Sequence, residues 1–352
     1  MIKVFIPEFE YKSKILFEIF FHLGENKIGI SEQASHWFEK VEDLSKSDWI
    51  LIPAFTSSLT CEAGKSLFLK SQELAKKFGK QFGVFSNSDL IVDPGVKEVT
   101  IFTPGAYASM KNQVNLPALL PYDPILKWNQ GNWSPANEYS VPTIGFCGQA
   151  TRNPLKAVKD LLKITSLMLK KNFRNSPYLH IPLFLPAFER GKLLNSLEKS
   201  PLLKTDFILR SRYKGGAVTA NEKISVERDF YENISNNLFT VCLRGFGNYS
   251  VRFFQTLAMG RIPVVIDTDS ALPFESLISY GDSVIRIPFG KRNSAGKIVT
   301  EYMQSKSKKE LIEIQKKCRI IWEDAFQVDG MLRYLAGEMG NISIKSHQKK
   351  RI

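Results

Sequence analysis

The chain has 352 residues, enough for two domains of ordinary size, with 43% hydrophobic and 24% charged residues, the balance of a globular protein. No run reaches the roughly 18 apolar residues that a membrane-spanning helix needs, and Met1 leads straight into an apolar strand, so neither a span nor a secretory signal is expected. A formal charge of +13 attracts nucleic acid, an anionic lipid surface or a phosphorylated small molecule without choosing among them.

In the first half, strand-like and helix-like segments alternate, the pattern of a parallel sheet with helices on its faces. Strands are expected at Ile2–Ile6, Trp49–Pro53, Gln81–Phe85 and Val99–Phe102, and helices at Ser13–His22 and Glu62–Phe78. From Pro117 to Pro142, five prolines punctuate a stretch holding Trp128, Asn129, Gly131, Asn132 and Trp133, which reads as an interdomain linker. A second α/β run opens with the strand Thr143–Cys147, then Gly148 and a loop containing Arg152. Asn153 or Thr151 can cap a helix Pro154–Lys170, with Pro154 at the favoured first position. Further strands are expected at Tyr178–Leu185, Asp206–Leu209 and Ser283–Ile287, a polar loop at Ser211–Asn221, and an amphipathic helix at Glu222–Ser235. A long helix at Lys306–Ala325, extending to Met339, carries Leu311, Ile314, Cys318, Ile321 and Trp322 at helical spacing. The expected domains are residues 1–135 and 136–330, with 331–352 as a helix end and basic tail.

The most informative stretch is Phe239–Phe274. It reads as a strand (Phe239–Leu243), a turn containing Arg244, Gly245 and Gly247, and a helix Val251–Met259 with Ser250 at its N-cap. Gly260 then stops the helix and Pro263 opens the strand Val264–Ile266. Arg252 falls in the first helical turn, where the helix dipole disfavours a cation. With Arg244 just before it, two cations and several free N–H groups converge, the setting of an anion site. The plain alternative is a solvated helix face carrying Arg252 and Gln255, with the glycines only making a tight connection.

The segment resembles the exostosin family of glycosyltransferases. The matches are Cys242, Arg244–Gly245, Ser250 and Arg252, Gly260 with Ile262–Pro263–Val264, and Leu272–Pro273–Phe274. Leu243 replaces a usual proline, and Gln255 stands where the family has a glutamate thought to hold the donor ribose. The amide still bonds hydroxyls but forfeits the stronger charge-assisted bond. The fragment Asp48–Leu59 resembles the family's N-terminal strand and loop, placing Ala54–Ser58 near the acceptor; a plain strand-to-helix connection explains that loop too.

The resemblance implies two Rossmann-like lobes of GT-B type with a cleft between them and a C-terminal helix crossing back. It further implies inverting transfer of a sugar from a nucleotide-sugar, expected to be a UDP-sugar, to a glycan or lipid-linked acceptor in bacterial surface-polysaccharide synthesis. Arg244, Arg252, Gly245, Gly247, Ser250, Gly148 and Arg152 are expected around the donor diphosphate, with Gln255 and Asn248 near the ribose or sugar. Glu8, after the first strand, is the candidate base, with Glu62, Asp123 and His22 as competitors; His36 reads as structural. No cofactor or metal is expected, the nucleotide-sugar being a substrate. The cysteines Cys61, Cys147, Cys242 and Cys318 lack metal or redox spacing and read as core residues. Glycosylation at Asn233, Asn248 and Asn341 is not expected.

The expected location is cytoplasmic, with the basic C-terminal region (Lys306 to Arg351) touching the inner face of an anionic membrane. No nucleic-acid module accompanies the charge. The alternatives are a GDP-sugar enzyme of the α1,3-fucosyltransferase type, or a non-catalytic glycan- or nucleic-acid-binding relative.

Overall fold

Runs of buried aliphatic and aromatic residues build two parallel sheets, one from each half of the chain. The structure is a computed structural model that describes residues 1–11, 16–24, 27–136, 141–173 and 178–349. The first lobe contains β1 (Ile2–Phe5), the hairpin β2 (Phe21–Leu23) and β3 (Ile28–Ile30), α1 (Glu32–Ser35), β4 (Phe38–Lys40), β5 (Trp49–Phe55), α2 (Glu62–Phe78), β6 (Gln81–Phe85), β7 (Thr100–Thr103) and β8 (Gln113–Asn115). Its six-stranded sheet runs β4-β1-β5-β6-β7-β8, parallel throughout. The central strand β5, WILIPAF, is buried along nearly its whole length, as a strand covered on both faces must be.

α3 (Pro124–Asn129) leads into the second lobe: β9 (Thr143–Gln149), α4 (Pro154–Phe173), α5 (Pro186–Glu198), β10 (Lys204–Arg210), α6 (Ala220–Ser235), β11 (Phe239–Cys242), α7 (Val251–Ala258), β12 (Ile262–Asp267), β13 (Ile285–Pro288) and α8 (Ala295–Gln304). Its five strands run β10-β9-β11-β12-β13, again all parallel. α9 (Lys308–Ala325) packs beneath α7, and α10 (Val328–Lys349) then crosses to β1 and α1 of the first lobe. Two indoles of the first lobe anchor it: Trp37 Nε1 donates to Asp329 at 3.2 Å and Trp49 Nε1 to the Ser343 hydroxyl at 3.0 Å. The expected two Rossmann-like lobes and crossing C-terminal helix are therefore present.

Several local expectations need correction. The helix expected over Ser13–His22 does not form among its described residues; Phe21 and His22 lie in β2, and the Phe17 N–H donates to Pro53 O at 3.0 Å. Residues 13–15 of that stretch lie outside the described residues. Aromatic Phe17, Phe20 and Phe21 cluster against Phe85 and Phe38, and that packing overrides the helical spacing. The strand expected at Tyr178–Leu185 shrinks to one bridge, Tyr178 to Val92, because Pro182 and Pro186 interrupt it. Pro186 instead opens α5, whose buried Leu193, Leu194 and Leu197 face the core. The long C-terminal helix breaks at Phe326, and Ser307 with Glu310 forms a capping box that starts α9.

The proline-rich stretch before the second lobe is not a free strap. α3 packs on α6 and α7, and Tyr122, Trp128 and Trp133 close over Tyr231, Ile234 and Met259. Asp123 caps α3, accepting from Ile125 N at 2.9 Å, and pairs with Arg319 of α9. Residues 137–140 of this stretch lie outside the described residues.

Candidate functional site

Parallel strands bring their C-terminal ends to one edge, so β9, β11 and β12 deliver Gly148, the Arg244–Ser250 turn and Asp267–Ala271 to the same side of the second sheet. The turn is closed by Gly245 N donating to Tyr249 O at 3.1 Å. Ser250 occupies the N-cap of α7, but its side chain makes no capping bond. The opening N–H groups of α7 therefore get no partner from that hydroxyl.

Arg252 projects from the first turn of α7 toward β9. Its Nη2 donates to Cys147 O at 2.9 Å, and its guanidinium lies 4.2 Å from the centre of the Phe146 ring, a cation–π contact. Gly148 makes room for it, since a Cβ there would fall 2.6 Å from Arg252 Nη2. Arg190, from α5, lies beside it. This side chain donates to Arg244 O at 2.8 Å and to Gln149 O and Leu243 O at 3.3 Å, joining the ends of β9 and β11. Burial, and then the charge of Arg252, hold the Arg190 pKa well below the usual guanidinium value; burial lowers that of Arg252 too. The Nε groups of both are buried without a hydrogen-bond partner among the described residues. Among those residues neither arginine has a carboxylate within ion-pair distance, so two neighbouring cations meet only carbonyl oxygens and ring faces. An anion at this edge would relieve the repulsion.

Arg244 has a different setting. It is only 5% exposed and holds the turn from inside, donating to Phe246 O at 2.6 Å, Asn248 Oδ1 at 2.8 Å and Gly247 O at 3.2 Å. The Tyr107 hydroxyl of the first lobe lies 3.4 Å away. Asn248 is 1% exposed, and its amide is fully occupied within the protein. Its nitrogen donates to Ala106 O and Asp269 O, while its oxygen accepts from Arg244 and from the Thr268 hydroxyl. It thus joins the lobes, reinforced by Ala108 N to Asp269 O at 3.0 Å and by Ser109, whose N–H and hydroxyl both donate to the Asp269 carboxylate. Beside this clasp lies a cavity of about 360 Å³, lined by Tyr107, Met110, His180 and Phe184 with Arg244 and Asp269 at its polar side.

The remaining expected residues are dispersed. Gln255 is half-buried, and its Nε2 donates to the Tyr231 hydroxyl at 3.2 Å, under the Trp128 ring that stacks on Tyr231. Arg152 is exposed and ion-paired with Glu198 of α5, so its charge is already answered. Glu8 is exposed three residues beyond β1. Of its competitors, Glu62 pairs with Lys65 in the first turn of α2, His22 is exposed on β2, and Asp123 is engaged by Arg319. His36 lies 3.9 Å from the Asp329 carboxylate.

Two contributors escaped the sequence reading. Arg190 carries no motif; its one trace is the adjacent Gly191, where a Cβ would meet Thr151 O at 2.0 Å. That close approach brings α5 onto the loop after β9. Asp89 follows β6 and presses against the turn from the first lobe, such that a Cβ on Gly247 would lie 2.7 Å from its Oδ1. Gly247 thus permits a first-lobe carboxylate to touch the second lobe's turn. Among the described residues no group of three His, Cys, Asp or Glu side chains is arranged to hold a metal ion, and no helix is long and apolar enough to cross a membrane.

No protein-family model matches the chain. A 126-residue stretch is 28% identical to the Exostosin-1 homolog of Caenorhabditis elegans, covering 34% of this chain and 32% of that protein. The match thus spans about a third of the relative's length. Among solved structures, the GtfA/B complex is similar over 92% of this chain and 63% of its own, with 10% identity and a TM-score of 0.38. A glycosyltransferase from Rickettsia africae is similar over 96% of this chain and 84% of its own, with 10% identity and a TM-score of 0.37. Likenesses this remote assign no activity, and the two-lobed architecture rests on the strand order itself.

Proposed function

We propose that the protein is an inverting glycosyltransferase that takes a sugar from a nucleotide diphosphate donor, with UDP-sugars the first choice, and passes it to a glycan or lipid-linked acceptor in polysaccharide synthesis. The observation that carries this reading is the pair Arg190 and Arg252, adjacent at the opening of α7 with no carboxylate counterion among the described residues. The partial sequence likeness to the Exostosin-1 homolog agrees with it. In the reaction, the acceptor oxygen attacks the anomeric carbon as the bond to the diphosphate oxygen breaks, and the acceptor proton passes to a carboxylate. Charge grows on the leaving diphosphate, where the two guanidinium groups and the α7 N–H groups stabilise it.

Gly245 leaves the backbone open to the diphosphate, Gly148 makes room for the Arg252 guanidinium that meets it, and Ser250 adds a hydroxyl at the helix cap. Arg244 shapes the turn, and Arg152 borders the loop beyond β9. Gln255 serves the donor ribose if its bond to Tyr231 is exchanged. Two first-lobe carboxylates compete as base. Asp89, against the turn, is favoured over Glu8 by its contact with Gly247. A neutral amide in place of the family's glutamate at Gln255 favours a second reading, a non-catalytic relative that binds donor or glycan without turnover.

The test is a thermal-shift panel of UDP, GDP, CDP and dTDP, followed by hydrolysis of the preferred sugar nucleotide. Stabilisation by UDP, lost in Arg252→Ala, with slow hydrolysis that persists in EDTA, is the expected result. Preferential stabilisation by GDP would move the reading to a GDP-sugar enzyme. Binding without hydrolysis or transfer would favour the non-catalytic relative, and no shift with any nucleotide would remove the donor site altogether.

A further inference from the structure

α4 presents two apolar faces where one suffices. Its inner face, Ala157, Ile164 and Met168, packs into the fold, with Ile164 meeting Leu90 and Ile181. Its outer face carries Leu155, Val158, Leu162 and Leu169, at 72%, 53%, 65% and 52% exposure. At 100° per residue these four fall within one stripe about 60° wide, pointing away from the core. A helix whose outer side met only water has no reason to place leucine and valine there. Contiguous exposed apolar surface of this kind marks an interaction site.

The charges beside the stripe narrow the partner. The helix sequence holds five lysines against one aspartate, and Lys159 and Lys163 are exposed along one flank of the stripe. Asp160 lies 3.9 Å from Lys163, and Lys156 is turned back to donate to Ser211 O at 3.0 Å. A leucine stripe bordered by lysines suits a helix lying in the plane of an anionic bilayer, its apolar side chains below the headgroups and its ammonium groups among the phosphates. A protein partner would match the apolar stripe equally well, but would need its own acidic rim to answer the lysines.

We infer that α4 docks the protein on an anionic lipid surface through Leu155, Val158, Leu162 and Leu169. Of the basic C-terminal residues expected to make that contact, Lys306 is paired with Asp282 and Lys316 with Glu313, and Lys350 and Arg351 lie outside the described residues. The assignment stands on α4 alone and does not require sugar transfer. Because α4 begins just beyond the C-terminal edge of β9, docking would also hold the Arg190–Arg252 edge close to the bilayer.

The test is co-sedimentation of the full chain with vesicles of phosphatidylcholine alone, and of phosphatidylcholine mixed equally with phosphatidylglycerol, without nucleotide. The wild-type protein should bind the mixed vesicles, bind neutral ones at least about tenfold more weakly, and lose binding as salt rises. The triple variant Leu155→Gln, Leu162→Gln, Leu169→Gln keeps good helix formers at exposed positions, so it should melt as wild type yet partition at least about tenfold less. Should that variant misfold, Lys159→Glu with Lys163→Glu supplies the second readout, with the same expected loss on mixed vesicles. Equal binding by wild type and variants, or no binding to either vesicle, would overturn the inference. So would a wild-type dimer that the triple variant abolishes, since a second copy would then cover the face.

Discussion

Replacing Gly148 with alanine isolates the part of the site that the structure specifies most narrowly. The new methyl carbon would lie 2.6 Å from Arg252 Nη2, where ordinary contact is 3.4–4 Å, so the guanidinium must retreat by about 1 Å. It can move, being the end of a flexible side chain, but it then leaves the 2.9 Å bond to Cys147 O and the Phe146 ring. Losing a bond from a charged donor costs about 1.5–3 kcal/mol, partly recovered by rehydration of the displaced group. A Cβ at a backbone φ of 154° adds about 1 kcal/mol of strain. The net loss of folding stability should therefore be about 1–3 kcal/mol, a few degrees in melting temperature for a chain of this size.

The effect on nucleotide binding should be larger in proportion, because the displaced cation is the one proposed to meet the diphosphate. Calorimetric titration with UDP should show Gly148→Ala weakened at least about tenfold, or 1.4 kcal/mol. A double-mutant cycle sharpens the test. In the Arg252→Ala background nothing remains for the methyl group to displace, so Gly148→Ala should change the affinity by less than about twofold. Wild-type affinity in Gly148→Ala, or a double variant whose loss is the sum of the two single losses, would refute the coupling and the site geometry with it.

Arg190→Met removes the cation that joins the ends of β9 and β11; folding stability should drop by about 1–3 kcal/mol, read by denaturant unfolding and offset in part by relief of repulsion with Arg252, and UDP affinity should fall about tenfold or more. Burial raises the Asp123 carboxyl, but its bonds and charge contact with Arg319 outweigh this and hold its pKa below the ordinary value. A carboxyl lowered on folding stabilises above its unfolded value, about 3.9, and the contribution is lost as pH falls through the folded value. Asp123→Asn should thus lower the melting temperature at pH 7 and flatten its decline between about pH 5 and 3. Gln255→Glu supplies the charge-assisted bond that the exostosin resemblance implies at this position and should raise donor affinity or turnover a few-fold, read in a hydrolysis assay; no change would place Gln255 with the Tyr231 cluster rather than the donor.

How far the sequence discloses this site depends on whether a feature is local. The strand–turn–helix–strand of Phe239–Phe274 is legible because its glycines, prolines and apolar runs each signal a short-range conformation, and β11, α7 and β12 form as expected. Arg190 is not legible, because its position depends on α5 pressing Gly191 against Thr151 O, a contact between segments with no shared motif. Asp89 is hidden for the same reason, lying on a loop of the other lobe. The turn and the exostosin resemblance mark Arg244 and Asn248 as ligand groups. Their burial and their bonds across the lobes emerge only when the two sheets are brought together. The failed helix at Ser13–His22 shows the converse, helical spacing overridden by aromatic packing against another strand.

The edge formed by β9, α5 and α7 is proposed to bind the diphosphate of a sugar nucleotide. Parallel calorimetric titrations of UDP and uridine into the wild-type protein and Arg252→Ala test it most directly. UDP should bind wild type, uridine should bind at least about a hundredfold more weakly, and Arg252→Ala should bring UDP down toward uridine. Equal affinity for UDP and uridine, or an Arg252→Ala variant that binds UDP as wild type does, would contradict it.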